Sequence, residues 1–362
     1  MTASLDQAFD VRDEDRLDAD KLDAFLKQHV PGLEGRPTIK QFLGGASNLT
    51  YLISYGARGK GDERELVLRK PPAGVKAKSA HDMLREARIM AALKPHYPFV
   101  PAILAGCDDP AVLGSDFYVM ERMRGIILRR DLPANLGLDE AGVRQLCLAF
   151  IDRLVLLHQV DKSLPDVAAI GRGEGYIARQ ITGWSSRWRQ SLTEDTDPGE
   201  DVLGWIAAKQ PAGETAICVI HNDYRFDNVI LDVSPKLDII GVLDWEMTTL
   251  GDPMMDLGGS LAYWVQADDD PLFHSLRRQP SHVPGMLTRS EVVAYYSERS
   301  GWSVANFDFY EVFGLFRLMV IIQQIYRRFV LRQTTNPRFA DFGQAAAYLL
   351  ERCRRLIRAS NL

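Results

Sequence analysis

The stretch Ile217–Asp244 holds the residues best suited to chemistry. Apolar ICVI leads into His221-Asn222-Asp223, Asn228 follows Asp223 by five positions, and a second apolar run, IIGVL, ends at Asp244. Two strand-like runs therefore deliver a histidine, carboxylates, an amide and the cation Arg225 to one edge. Phosphoryl transfer uses such a set. One carboxylate orients or accepts the proton of an attacking hydroxyl, an amide and a second carboxylate hold a hard divalent cation on the phosphates, and a cation offsets the developing charge. Asp223 and Asn228 alone could simply cap a turn; the aspartate after the next apolar run favours chemistry.

The spacing Asp223-x-Arg225-x-x-Asn228 matches a kinase catalytic loop. The loop resembles that of the aminoglycoside phosphotransferase family, a protein-kinase-like fold in which it usually reads His-Gly-Asp. The resemblance implies that Asp223 is the base, Arg225 contacts the γ-phosphate, Asn228 and Asp244 are Mg²⁺ ligands, and His221 braces the loop by hydrogen bonding. Asn222 stands where the family has glycine. Among non-glycine residues asparagine best tolerates the left-handed region, so the loop is expected to survive the exchange.

These residues need elements to position them. Residues 1–20 are polar and expected to be frayed or loosely docked, and Asp18–Val30 reads as a short amphipathic helix stopped by Pro31. From Thr38 the pattern turns strand-like, with IKQFL, LTYLISY and ELVLRK separated by glycine turns. Leu43–Asn48 (LGGASN) lies between two of these strands. A plain hairpin turn is one reading; the other is a phosphate loop, with Gly44 and Gly45 admitting backbone N–H groups and Ser47 and Asn48 adding side-chain donors. Ser79 is a candidate N-cap for the helix in HDMLREARIMAALK, which carries Glu86. Arg69 and Lys70 end the third strand and cannot both point inward, because side chains alternate. The LRKPP stretch resembles family members in which the arginine of this doublet takes the phosphate-gripping lysine's role, so Arg69 paired with Glu86 is expected, with Lys70 as the fallback. In the fold this resemblance implies, FYVMERMRG is the hinge, with Met120 behind the adenine and Glu121 and Met123 presenting backbone groups to it; a simple edge strand is the other reading.

After Asp244 the string WEMTTLGDPMMDL extends the family resemblance. Glu246 is expected to supplement the metal shell, while Asp252 and Asp256 read as caps and anchors of the next helix. His158, on a leucine-rich helix, reads as a satisfied core residue, and Phe307–Phe316 reads as core. Tyr176, Arg179, Gln180, Trp184 and Trp188 recur at helical spacing. Such tryptophans and arginines on one face could bind an aromatic or anionic acceptor.

The expected fold is α+β and protein-kinase-like: an N-terminal extension (1–37), a small β-rich nucleotide-binding lobe (38–121) and a larger, mainly helical lobe (122–362) with the catalytic loop and acceptor site. GGASNLTY, LRKPPAG, FYVMERMRG, YIARQITGW and LDWEMTTLGDP also resemble one branch of the family, the kinase-like module that some proteins fuse to an acyl-CoA dehydrogenase. That branch implies ATP and Mg²⁺ as cofactors, ATP lying between the lobes under Gly44–Asn48, and a hydroxyacyl thioester as the small-molecule hydroxyl acceptor. The 362 residues are expected to hold this module without a dehydrogenase. The competing readings are an aminoglycoside- or choline-type kinase, which acids around Asp268–Asp270 would favour, and a nucleotide-binding pseudokinase acting as a scaffold.

Composition narrows the classes. With 46% hydrophobic and 25% charged residues the chain is an ordinary globular protein, and a net charge of -5 argues against nucleic-acid partners. Cys107, Cys147, Cys218 and Cys353 form no CxxC pair, which fits a reducing compartment. The acidic N-terminus lacks an apolar h-region and is not expected to act as a signal peptide. The apolar run Val312–Leu331 is broken by Arg317, Gln323, Gln324, Arg327 and Arg328, short of the ~20 apolar residues that span a bilayer, so a buried helix is expected. A cytoplasmic protein without membrane partners, with a homodimer kept open, is the resulting expectation.

Overall fold

Alternating apolar side chains from Thr38 onward build an antiparallel sheet. The computed structural model describes residues 7–42, 48–56, 63–72, 82–234 and 236–362. The expected phosphate-loop residues Gly44, Gly45 and Ser47, and the expected cap Ser79, lie outside the described residues.

The sheet comprises β1 (Ala8–Phe9), β2 (Thr38–Phe42), β3 (Leu49–Tyr55), β4 (Arg64–Lys70), β5 (Ile103–Cys107) and β6 (Phe117–Glu121), in the order β1-β2-β3-β4-β6-β5 with antiparallel neighbours. Period-2 alternation sends Tyr51, Ile53, Leu66, Leu68, Phe117 and Val119 to one face, where they pack with Leu22 and Leu26 of helix Ala19–His29. Asp18 caps that helix, its Oδ1 accepting from Lys21 N at 3.1 Å. The opposite face carries Arg69, paired in register with Thr50 and Tyr118. Within the described part of the N-terminal stretch, Ala8 and Phe9 pair with Phe42 and Gln41, and Arg12 N donates to Gln41 Oε1.

By its packing the chain forms two compact units. The first takes residues through Ile127 together with Asn228–Thr248; the second takes Leu128–Asp227 and Thr249–Leu362. The sheet unit thus extends past Glu121 and recovers a later segment, whose hairpin Val229–Leu231/Ile239–Val242 leads into Asp244. Two links dock this hairpin within its own unit: Leu231 bridges Ile126, and Val242 N donates to Phe99 O at 2.7 Å. Helix Met83–Leu93 also belongs here. Asp82 is its cap, accepting from Arg85 N at 2.7 Å.

The second unit is mainly helical. Its long helix Phe307–Val330 packs against Phe342–Ala359, Pro253–Leu261 and Tyr176–Ser191. The crossing with Pro253–Leu261 is close: a Cβ at Gly314 would sit 2.1 Å from the Gly258 carbonyl oxygen, so no larger residue fits. Phe307–Val330 is long and apolar enough to cross a membrane by length and composition alone, yet 67% of its most apolar window is buried inside the protein. Cys218–Ile220 pairs antiparallel with Thr249–Gly251, placing His221 and Asp252 beyond opposite strands of one small ladder.

Candidate active site

In the first unit Arg69 is the organising cation. Its Nη1 donates to Glu86 Oε1 at 2.7 Å and its Nη2 to Asp244 Oδ1 at 3.1 Å. Arg69 and Glu86 are almost wholly buried, whereas the Asp244 side chain is 32% exposed. Burial alone would weaken the charge on Arg69, but Glu86, Tyr118 and Asp244 hold it firmly protonated. Glu86 also accepts from Trp245 N at 3.1 Å, so a single carboxylate fixes both the cation and the turn after Asp244. Asp244 occupies the left-handed region, with φ 68° and ψ 63°.

Lys70 takes no part in this set. Alternation turns it to the opposite face of β4, where Nζ donates to Leu113 O at 3.0 Å. The fallback assignment is thereby corrected in favour of Arg69. Among the hinge residues, Met120 is buried in the sheet opposite Val67. The Glu121 N–H donates to Ala102 O at 2.9 Å, and its carboxylate accepts from Lys94 at 2.9 Å and Ala102 N at 2.8 Å. Those groups brace the end of β6. The sulfur of Met123 lies over Gly241, where a Cβ would come within 2.8 Å of it.

Asn48, at the described end of the glycine-rich loop, donates to Glu246 Oε2 at 3.0 Å. Arg85 clamps the same segment, Nη1 donating to Glu246 O at 3.0 Å and Nη2 to Thr248 O at 2.7 Å. The Asn228 carbonyl accepts from Leu243 N at 2.8 Å, tying the two arms of the hairpin beside Asp244. The donors here are hard oxygens: Asp244 Oδ2 has no protein partner among the described residues, and Asn228 and Glu246 lie on the same hairpin and turn. This set fits Mg²⁺, which takes one or two carboxylates and completes its shell with phosphates and water. No cluster of three or more His, Cys, Asp or Glu among the described residues would cage a metal unaided.

In the second unit Asp256 holds the loop that carries Asp223. Its Oδ2 accepts from His221 N and its Oδ1 from Asn222 N, each at 2.7 Å. Rather than capping its helix as expected, it faces this loop; Asp252 is the cap, accepting from Met254 N and Met255 N. His158 is buried, as expected, and also polar-bound: Nε2 lies 3.0 Å from Asp256 Oδ2 and Nδ1 2.6 Å from Tyr296 Oη. Burial keeps the Tyr296 phenol protonated, so it donates to Nδ1 while Nε2–H donates to Asp256. Burial would push Asp256 up, but the hydrogen bond from His158 and the loop N–H of His221 hold it below the ordinary carboxylate range.

His221 is fully buried, and its Nδ1 accepts from Asp223 N at 3.2 Å. Asn222 has φ 66°, the left-handed conformation expected of it. Its Oδ1 accepts from Tyr176 Oη at 2.8 Å and its carbonyl from Arg317 Nη2 at 2.5 Å. Arg225 lies between Asp223 (3.2 Å) and Asp227 (3.0 Å) with its guanidinium 4.6 Å above the Tyr263 ring. Of the proposed acceptor stripe, Tyr176 and Trp184 are tied to this region. Trp188 instead donates to Pro198 O, Gln180 accepts from Trp184, and Arg179 binds the Gly173 and Glu174 carbonyls. Arg85, Arg317 and the loop-facing role of Asp256 escaped sequence reasoning. Arg85 adjoins Glu86 and Asp256 sits in the GDPMMDL string, but their partners are backbone groups, which leave no pattern.

A buried arginine–glutamate pair behind a strand, an aspartate after a hairpin and an anchored His-x-Asp loop are features of a protein-kinase-like small-molecule phosphotransferase. The sequence profile described as the phosphotransferase enzyme family matches residues 38–291, and the chain belongs to that family. A solved putative aminoglycoside phosphotransferase from Ralstonia eutropha superposes with a TM-score of 0.80 at 28% identity, covering 96% of this chain and 100% of that one. Choline kinase from Cryptosporidium parvum shares the fold, with a TM-score of 0.64 at 12% identity over 94% of this chain and 96% of its own. Mouse acyl-CoA dehydrogenase family member 10 is 32% identical over 90% of this chain and 30% of its own length. Human acyl-CoA dehydrogenase family member 11 is 30% identical over 89% of this chain and 40% of its own. The chain therefore spans less than half the length of these curated relatives.

Proposed function

We propose that this phosphotransferase moves the γ-phosphoryl group of ATP to a hydroxyl of a small molecule, with Mg²⁺ as cofactor and a hydroxyacyl-CoA as the favoured acceptor. The observation that carries this is Arg69 bridging buried Glu86 and partly exposed Asp244, which would orient a cation and a metal-binding carboxylate together. ATP is supported by family membership and by a fold neighbour solved as a ternary complex with AMP-PNP and hygromycin B. The acyl-CoA acceptor is supported by the relatives' names and by the branch motifs.

In this reading Asp223 takes the proton of the acceptor hydroxyl. Asp256 and His158 set its position through the loop backbone, and Arg225 meets the charge developing on the transferred group. Arg69 binds the phosphates. Asn228 and Asp244 would hold the magnesium ion, with Glu246 beside them. When bound, the ion supplies charge neutralisation at the phosphates.

Asp223→Asn should lower turnover by about 10²- to 10⁴-fold, the range for loss of a general base, while AMP-PNP affinity stays within about twofold. The assay is ADP release across hydroxyacyl-CoAs, aminoglycosides and choline-like alcohols. Undiminished turnover in Asp223→Asn overturns the assignment. Turnover of only the latter two classes rejects the acyl-CoA acceptor.

A further inference from the structure

The second unit places an uneven distribution of charge around the loop that carries Asp223. Arg225 is matched by Asp223 and Asp227. Arg187 and Arg317 share the Trp184 ring, their guanidinium carbons 4.6 and 5.5 Å from its centroid, and Arg317 donates to the carbonyl of Asn222, next to Asp223. Arg278 adjoins Gln279, which accepts from Phe226 N at 3.0 Å and donates to Tyr263 O at 3.2 Å, so its backbone is anchored to the same loop. Among the described residues none of Arg187, Arg278 and Arg317 forms an ion pair with a carboxylate.

The acids that would attract a polycation are already committed. Asp269 accepts from Arg289 at 2.6 Å and from Arg352 at 2.7 Å. Asp270 caps helix Pro271–Ser275 and accepts from Tyr348 Oη at 2.5 Å. Asp268 accepts from Gln266 at 3.0 Å. Guanidinium groups stacked on an indole and lacking carboxylates suit phosphate or carboxylate recognition, because the fork pairs with such oxyanions in bidentate fashion.

We propose that the acceptor alcohol carries an anionic group, a phosphate or a carboxylate, held by Arg187, Arg278 and Arg317, and that these residues set acceptor choice against polycations. The proposal rests on the reading of Asp223 as the base that faces the acceptor. Its test is binding rather than turnover, so that the two can fail separately.

Calorimetric titration of the intact protein, saturated with Mg²⁺ and AMP-PNP, compares two matched pairs: 4′-phosphopantetheine against pantetheine, and glycerol 3-phosphate against glycerol. The first pair represents a coenzyme-type acceptor and the second a short phosphorylated alcohol. At least one phosphorylated member should bind tenfold or more tightly than its neutral partner. Arg187→Glu and Arg278→Glu should each cut that preference threefold or more, with AMP-PNP affinity unchanged as the control for folding. Equal binding within both pairs, a preference that survives both substitutions, or tighter binding of kanamycin overturns the proposal. If the phosphate-dependent binding holds but no acceptor is ever phosphorylated, the proposed activity falls and the anion site stands.

Discussion

Asp244 and Asn222 both turn the backbone through the left-handed region, at φ 68° and 66°, and each lies in a segment that carries candidate site residues. They are held there differently. Around Asp244 the work is done by charge: Arg69 on its carboxylate, Glu86 on the following N–H, and Arg85 on the Glu246 and Thr248 carbonyls. Around Asn222 the backbone is gripped directly, by Asp256 on its N–H and Arg317 on its carbonyl, with Tyr176 on its side chain. The difference suits the proposed roles. As a proposed metal ligand Asp244 keeps a side chain that is 32% exposed, and its support comes through an ion pair. Asn222 has no such duty, and both its side chain and its peptide can be tied down.

The comparison breaks most sharply at Glu86. Glu86→Ala leaves Arg69 buried without its main partner and Trp245 N without an acceptor, and removing one member of a buried pair costs about 3–5 kcal/mol. Urea unfolding should show that loss, with Glu86→Gln costing less because it keeps an acceptor oxygen. An unchanged midpoint in Glu86→Ala would mean that charge does not hold the first segment.

The corresponding break in the second unit is Asp256→Asn. It removes one acceptor for the loop N–H groups and the charge that His158 faces, and charge-assisted bonds contribute about 1.5–3 kcal/mol each. The sign with pH follows from the lowered pKa of Asp256. A carboxylate favoured in the fold contributes fully above the ordinary aspartate value, roughly 4, and that contribution fades as pH falls through its lower folded value. The gap between wild type and Asp256→Asn should therefore be full at pH 7 and narrow steadily below about pH 4. A gap independent of pH would assign the role of Asp256 to packing.

How much of this was readable from sequence depends on what kind of partner each residue has. Arg69 against Lys70 was nearly decidable, because alternation puts them on opposite faces and only one can meet Glu86. The positions of Asp223 in a loop and of Asn228 and Asp244 at the ends of a hairpin were legible because loop spacing and strand ends are written locally. The α+β fold followed from the strand-rich start and the helical remainder. At Glu121 the bond from its N–H to Ala102 left no trace in the sequence, because a residue leaving a strand looks the same whether its backbone groups await a ligand or are already paired. Asp256 misled because an acid in the first turn of a helix has an ordinary use there. His158 was read correctly as buried, but Tyr296 and Asp256 lie 138 and 98 residues away, and a single chain gives no sign of partners so distant.

A smaller effect sharpens the comparison at Asn222 itself. Asn222→Gly keeps the left-handed backbone and loses only the side-chain bond to Tyr176, so its stability should change by less than about 1 kcal/mol. Asn222→Ala must pay about 1–2 kcal/mol for the conformation as well. If the two variants unfold at the same denaturant concentration, the turn is not what asparagine provides.

The smallest effect belongs to Lys70. It neighbours Arg69 in sequence, yet its ammonium donates to a carbonyl on the far face of the sheet, and burial there lowers its pKa. Lys70→Met keeps the length of the apolar stem and discards one hydrogen bond, a loss of about 1 kcal/mol at most. Because the side chain points away from Asp244, the apparent KM for ATP should stay within about twofold, whereas Arg69→Met removes the cation from between Glu86 and Asp244 and should raise it at least tenfold. Steady-state kinetics on the pair separates the faces of one strand. A Lys70→Met protein with an ATP KM as poor as that of Arg69→Met would show that the lysine reaches the nucleotide after all, and that strand alternation does not decide which cation serves.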